Sequence, residues 1–243
     1  MGVPSTRNRL LQALPPEELE PLLPQFERVQ VHKGDILWSV GDPLDVVYFP
    51  EAGLSSNVAV TSDGRRIEVG CFGYEGMVST GSVLNVDRAP HELLVQVGGP
   101  WLRIGADAFR EALRSSHALH DLLLRYTHTV MMTLSQTAMS NGAYSVEERL
   151  ARWILMTHDR LDGNDLSLTH DFLSIMLATQ RSTVTLAIQA LEGYGAIQAK
   201  RALVTVRDRG MLCDLAGNSY GPAEAAYERL IGPFRKSPAP SPE

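Results

Sequence analysis

The hydrophobic period changes near residue 105, and that change limits the fold more than any single motif does. From 28 to about 105, in ERVQVHKGDILWSVGDPLDVVYFPEAGLSSNVAVTSDGRRIEVGCFG and beyond, apolar and polar residues alternate in short runs broken by KGD, VGDP, EAG, SDG and FGYEG. Alternation at a period of two with frequent turn residues predicts antiparallel strands closed into a sandwich or barrel. SDGR, Ser62 to Arg65, predicts a hairpin, because Asp-Gly accepts positive φ at little cost. From about 106 the period becomes helical. In HALHDLLLRYTHTVMMTLSQTAM, Leu119, Leu123, Tyr126, Val130, Leu134 and Thr137 recur at three- and four-residue steps. A stripe of that length without a breaker predicts a helix over 116–141 whose seam pairs with a second copy of the chain; packing on its own core is the alternative. Asn141-Gly142 ends it.

The third zone is helical in shorter pieces. SVEERLARWILMTHDRL is amphipathic, and Ser145 with Glu148 forms a capping box. Ser167, Thr169 and Asp171 are N-cap candidates for a short helix through Phe172, Leu173, Met176 and Leu177. Ala178-Thr179 then turns the chain into QRSTVTLAIQALEG. The front of that segment is polar, with Gln180, Arg181, Ser182, Thr183 and Thr185; its rear is apolar, with Val184, Ala187, Ile188 and Leu191. AIQAKRALVTVRDRG follows as a small hairpin with Lys200 and Arg201 at its tip. Helix, turn, polar-fronted helix and basic hairpin make a winged helix-turn-helix. The apolar rear packs inward and leaves the polar front free to enter a major groove. Arginine can bind guanine O6 and N7 together, which gives Arg181 a base-reading role, while Lys200 and Arg201 suit phosphates.

The fold class is therefore α+β. The expected order is an N-terminal segment (1–19), an antiparallel, jelly-roll-like β-roll sensor (20–115), a dimerisation helix (116–141), the winged helix (143–215) and a C-terminal extension (216–243). The Pro/Ser-rich end, PFRKSPAPSPE, is expected to be disordered from about 233.

The net charge of −6 argues against nucleic acid only on average. Residues 1–168 carry 14 Lys and Arg against 21 Asp and Glu, whereas 169–243 carry 8 against 7. A locally basic surface on an acidic body still binds DNA, because phosphate contacts decide affinity. No run of about 18 apolar residues is present, and the N-terminus has no basic start followed by an apolar core, so no membrane span or secretory signal is expected, and a cytoplasmic location is the expectation. Cys71 and Cys213 stand apart, and the seven histidines show no ligand spacing, so no metal site is expected. No G-x-S-x-G, H-E-x-x-H, Walker A or G-x-G-x-x-G motif occurs, which leaves no catalytic residues to name and argues against an enzyme.

Three separated segments carry a resemblance. LTHDFLSIMLATQRSTVTLAIQALEGYGAI, SVEERLARWIL, and KGDILWSVGDP with DVVYFPEAG resemble the Crp/Fnr family of transcription regulators in order and spacing, over about 20 to 215. The resemblance implies a homodimer on a pseudo-palindromic site in double-stranded DNA, and RNA polymerase as a partner if the protein activates. It places Arg181 on a guanine-reading arginine and Thr169 and His170 on phosphate-contacting positions. It also shows departures: Ser182 stands where founding members have glutamate, and Leu186 replaces a second arginine. The family's cyclic-nucleotide cassette is matched only in residue type by Glu75 and Arg88, in GYEGMVSTGSVLNVDRAPHELL; they lie 13 apart, and Arg88 precedes Ala-Pro-His. No cofactor is identified; a cyclic nucleotide stays open as a ligand, although the phosphate-binding cassette departs from the family pattern. Two other classes stay open: a cyclic-nucleotide-responsive module that does not bind DNA, and a cupin-like metalloenzyme.

Overall fold

In this computed structural model, which describes residues 5–234, the change of period is the boundary between two architectures. The N-terminal segment forms two short helices, α1 (Arg9–Gln12) and α2 (Pro16–Leu19). Seven strands follow: β1 (Glu27–Val31), β2 (Ile36–Trp38), β3 (Val46–Pro50), β4 (Leu54–Val60), β5 (Arg66–Phe72), β6 (Glu92–Val97) and β7 (Gly99–Gly105). They pair antiparallel as two sheets, ordered β1-β7-β3 and β2-β6-β4-β5, and make the β-roll. The SDGR turn joins β4 to β5. Trp38, Phe72, Leu93, Val95 and Trp101 are buried within the roll, where alternation brings one face of each strand inward.

Two helices close the roll, α3 (Ala106–Ser115) and α4 (His117–Ala143). Leu119, Leu123 and Tyr126 of α4 are at most 2% exposed and pack with Val47, Phe49, Met77 and Phe109 of the same chain. The Tyr126 hydroxyl donates to the Met77 carbonyl at 2.8 Å. Gly76 permits that approach, since a Cβ there would collide with the tyrosine ring. This corrects the expected dimer seam. The stripe of Leu119, Leu123 and Tyr126 is the face that holds α4 on the roll, and Val130 continues it half-buried. Further along, Thr137 accepts from Arg152 at 3.1 Å, again within the chain. Leu134 is 37% exposed.

The rest of the chain is α5 (Val146–Arg160), β8 (Asp165–Leu166), α6 (His170–Met176), α7 (Arg181–Gly193), β9 (Ile197–Lys200), β10 (Leu203–Val206), α8 (Arg209–Ala216) and α9 (Pro222–Leu230). The Ser145–Glu148 capping box is present at the start of α5. α9 returns to lie along α4. Phe234, at the expected start of the tail near 233, is 4% exposed and meets the Tyr227 ring edge-on. Residues 235–243, where the remainder of that expectation falls, lie outside the described residues.

Buried carboxylates join the roll to the helices that follow. Glu75 is bound to Arg160 at 2.7 Å with both side chains about 5% exposed, and its other oxygen accepts from the Gly73 amide. The Tyr227 hydroxyl donates to the Glu75 carbonyl, and the Arg160 guanidinium lies 5.1 Å over the Phe234 ring. Glu68 on β5 forms the second joint. It accepts from Trp153 Nε1 of α5 at 2.9 Å, from Gln96 Nε2 at 3.0 Å and from Ser56 Oγ, while the Met176 sulfur of α6 closes over the group. No cation touches Glu68 among the described residues, and burial raises its carboxyl above the usual range. Gln96 Oε1 has no partner among the described residues. Turning that amide would let Oε1 accept a proton carried by Glu68.

Folding therefore favours protonated Glu68. Its contribution to stability is full below the unfolded pKa of about 4.3 and is lost as pH rises through the higher folded value. Glu68→Gln, neutral at every pH and still able to accept from Trp153, is expected to raise Tm relative to wild type by more at pH 8 than at pH 5. Thermal melts at the two pH values check this; an equal effect at both would show that Glu68 does not titrate on folding.

Candidate nucleic-acid interface

The site begins with how α7 is held. Val184, Ala187, Ile188 and Leu191 are at most 3% exposed and pack against Leu150, Ile154 and Leu173 of the same core. Fixing that rear face turns the opposite one outward, so Arg181, Ser182, Leu186 and Gln189 are all exposed. The turn before α7 uses Ala178 in the left-handed region, φ 46, where glycine is the usual choice. Thr169, not Asp171, caps α6, accepting from the Phe172 amide at 3.2 Å. Asp171 is thereby free to pair with Arg181 at 3.0 Å. Both partners are largely exposed, so this pair is worth at most about 1 kcal/mol and gives way readily to a stronger acceptor.

The wing is the sheet β8-β10-β9. Lys200 pairs with Leu203 across a tip formed by Arg201 and Ala202, the latter at φ 59. Glu192 of α7 accepts from the Ala199 amide at 2.7 Å and ties the wing to the helix. A cleft of about 590 Å³ lies between α7, the start of α6 and the wing. It gathers Thr169, His170, Arg181, Thr185, Lys200 and Arg201 in one concave surface. His170 Nδ1 and Thr185 Oγ1 are hydrogen-bonded at 3.0 Å, and the threonine hydroxyl also meets the Arg181 carbonyl at 3.1 Å. Gln180 and Ser182 are exposed outside this lining, and Thr183 is half-buried. Gln189 lines the cleft too. Sequence reading passed over it, though its helical offset of eight from Arg181 was the available signal. Three cations face two acids here, and both acids are already engaged, by Arg181 and by the Ala199 amide.

Glu75 and Arg88 do not form one site. Glu75 is buried against Arg160, whereas Arg88 is exposed and donates to the Gly41 carbonyl at 3.1 Å. The expected pairing failed because Glu75 serves a joint between elements distant in sequence. A separate cavity of about 110 Å³ lies between the roll and α4. Trp38, Leu44, Phe72, Val78, Val130 and Leu134 give it apolar walls, and Asn57, Ser79, Thr80 and His91 supply polar groups. No arginine or lysine among the described residues lines it, and burial lowers the His91 pKa. Among the described residues no group of three or more His, Cys, Asp or Glu stands ready for a metal, and no helix is long and apolar enough to cross a membrane.

A β-roll followed by a long helix and a winged helix-turn-helix defines a class of DNA-binding regulator architectures. Residues 148–215 match the Crp-like helix-turn-helix domain. Solved structures with the same overall fold include FixK2 from Bradyrhizobium japonicum, at 16% identity and a TM-score of 0.70 over 79% of this chain and 98% of that one. The c-di-GMP responsive global regulator CLP of Xanthomonas campestris aligns at 17% identity and a TM-score of 0.63, over 78% and 98%. A CRP-family transcriptional regulator from Thermus thermophilus aligns at 17% and 0.66, over 78% and 96%. No curated protein sequence matches the chain. Residues 148–215 are thus a Crp-like helix-turn-helix domain, and the chain has the fold of Crp/Fnr-family regulators.

The two kinds of cation in the cleft are expected to separate on substitution. Arg181→Ala should cost about 1–3 kcal/mol of DNA binding and relax preference at one base position. Lys200→Ala should weaken all sequences alike and lower the slope of log affinity against log salt by about 1. Titrations of selected and random duplexes at several salt concentrations check both.

Proposed function

We propose that this chain is a sequence-specific transcription regulator that reads a pseudo-palindromic operator in double-stranded DNA as a homodimer, under the control of a small molecule bound at the β-roll. The observation that carries the reading is the cleft in which Arg181 on α7 and Lys200 and Arg201 on the wing converge. A helix end with an arginine for bases and a basic hairpin for phosphates serves duplex recognition, and a merely solvated helix face has no use for that convergence. The wing and cleft favour this over a nucleotide-responsive module without DNA binding, and among the described residues no ligand set supports the cupin-like enzyme.

The outward face of α4 suits the second copy. Leu124, His128, Met131, Ser135, Ala138 and Gly142 recur at alternating steps of four and three, and all are exposed. Leu124 is 42% and Met131 59% exposed, and Met132 and Met139 widen the strip. That is a heptad seam offset from the buried stripe, with small residues toward its C-terminal end where two backbones can approach. Two-fold symmetry then sets half-sites about 34 Å apart. The cavity beside α4 fits an uncharged ligand, since a cyclic phosphate would find no cation in its lining.

The experiment is an in vitro selection of duplex DNA with the purified protein, with and without cyclic AMP. A palindrome enriched equally in both supports the regulator and a signal other than cyclic AMP; enrichment only with cyclic AMP overturns the uncharged-ligand reading. Met131→Glu, which sets two carboxylates at the seam, is expected to yield monomers in sedimentation and to weaken operator binding about 100-fold or more through loss of the second half-site. An unchanged dimer would move the interface away from this face of α4.

A further inference from the structure

Leu186 is 64% exposed, the highest value among the exposed large hydrophobic residues of the described chain. It does not belong to a hydrophobic patch. Its neighbours on the outward face of α7 are Ser182 one turn before and Gln189 one turn after, while Arg181 and Thr185 line the cleft, of which Leu186 is not part. The burial of Val184, Ala187 and Ile188 around it leaves the side chain no inward rotation. A leucine held in water on a polar, hydrogen-bonding face gains nothing within the folded chain. It gains from a partner that presents an apolar group beside polar ones. In a major groove that group is the thymine 5-methyl, the one apolar feature among the base edges. At 1.5 Å of rise per residue, Leu186 stands about 7.5 Å along the helix from Arg181, within reach of the same half-site.

We infer that Leu186 reads a thymine methyl, at a position of the operator separate from the one read by Arg181. The inference rests on the proposed regulator reading and adds a specificity-determining residue to it. It also makes the operator bipartite in chemistry: one base chosen by charge-assisted hydrogen bonds and another by apolar contact. The two contacts differ in response to salt and to base modification, so they can be separated.

The test starts from the operator that the wild type selects, and repeats the selection with Leu186→Ala and with Leu186→Gln. An exposed leucine contributes little to the core, and circular dichroism melts verify that both variants fold. Preference for thymine is expected to fall at one position per half-site in both variants, with the position read by Arg181 retained. At that thymine, deoxyuridine is then substituted, which deletes only the methyl. The wild type is expected to lose about fourfold in affinity per half-site, equivalent to about 0.8 kcal/mol for one buried methyl. Leu186→Ala is expected to bind thymine and uracil duplexes alike. If the wild type binds both equally, or the variants keep the full thymine preference, Leu186 does not read the methyl and the regulator reading survives. If the wild type selects no duplex at all, the regulator reading falls and this inference falls with it.

Discussion

Two carboxyl groups taken out of water mark the place where the two architectures of this molecule meet, and the chain must satisfy both to fold. An ion pair such as Glu75–Arg160, about 5% exposed, gains little over apolar packing, but removing either partner leaves a buried charge and costs about 3–5 kcal/mol. The pair is therefore an obligation more than a reward: once the chain places Glu75 after β5, α5 must end where Arg160 can reach it. Everything downstream inherits that placement. Trp153 of α5 and Met176 of α6 meet Glu68 at the same junction, and α7 is positioned by packing on α5 and α6.

Much of this was legible in the sequence where one physical rule acts alone. The capping box at Ser145 and Glu148, the Asp-Gly hairpin and the apolar rear of α7 are local, and local chemistry settles them. The direction in which α4 faces was not legible. Its periodicity revealed a stripe and could not say whether the stripe meets the roll or a second chain, because either burial removes the same apolar area from water. The exposed heptad through Leu124 and Met131 is weaker in composition, carrying histidine, serine and glycine, and so was hidden by the stronger stripe. Glu75 misled for a related reason. A carboxylate in a glycine-rich turn has the same letter whether it binds a ligand or an arginine 85 residues away.

The proposed DNA-reading surface was better marked in the sequence than the proposed signal-receiving one. Arg181, Lys200 and Arg201 lie close in sequence, on a helix and the hairpin that follows it, so a short span of chain carries the whole arrangement. The cavity beside α4 is assembled from β2, β4, β5, the loops around β6 and the middle of α4. Its walls use ordinary core residues, and nothing in their spacing separates a lined cavity from a filled one. Ala178 and Ala202 show the same limit on a smaller scale, since alanine at positive φ carries no turn signal of its own.

The return of α9 to α4, with Tyr227 on the Glu75 carbonyl and Phe234 beneath Arg160, has a mechanical meaning. The helices that follow α4 meet the roll through Arg160 on Glu75 and through Trp153 and Met176 at Glu68, and α9 adds a further hold from the far end of the chain. With several separate holds, a rotation of these helices against the roll cannot be a swing about one free point: it must break a buried polar joint or carry the C-terminal segment along with it.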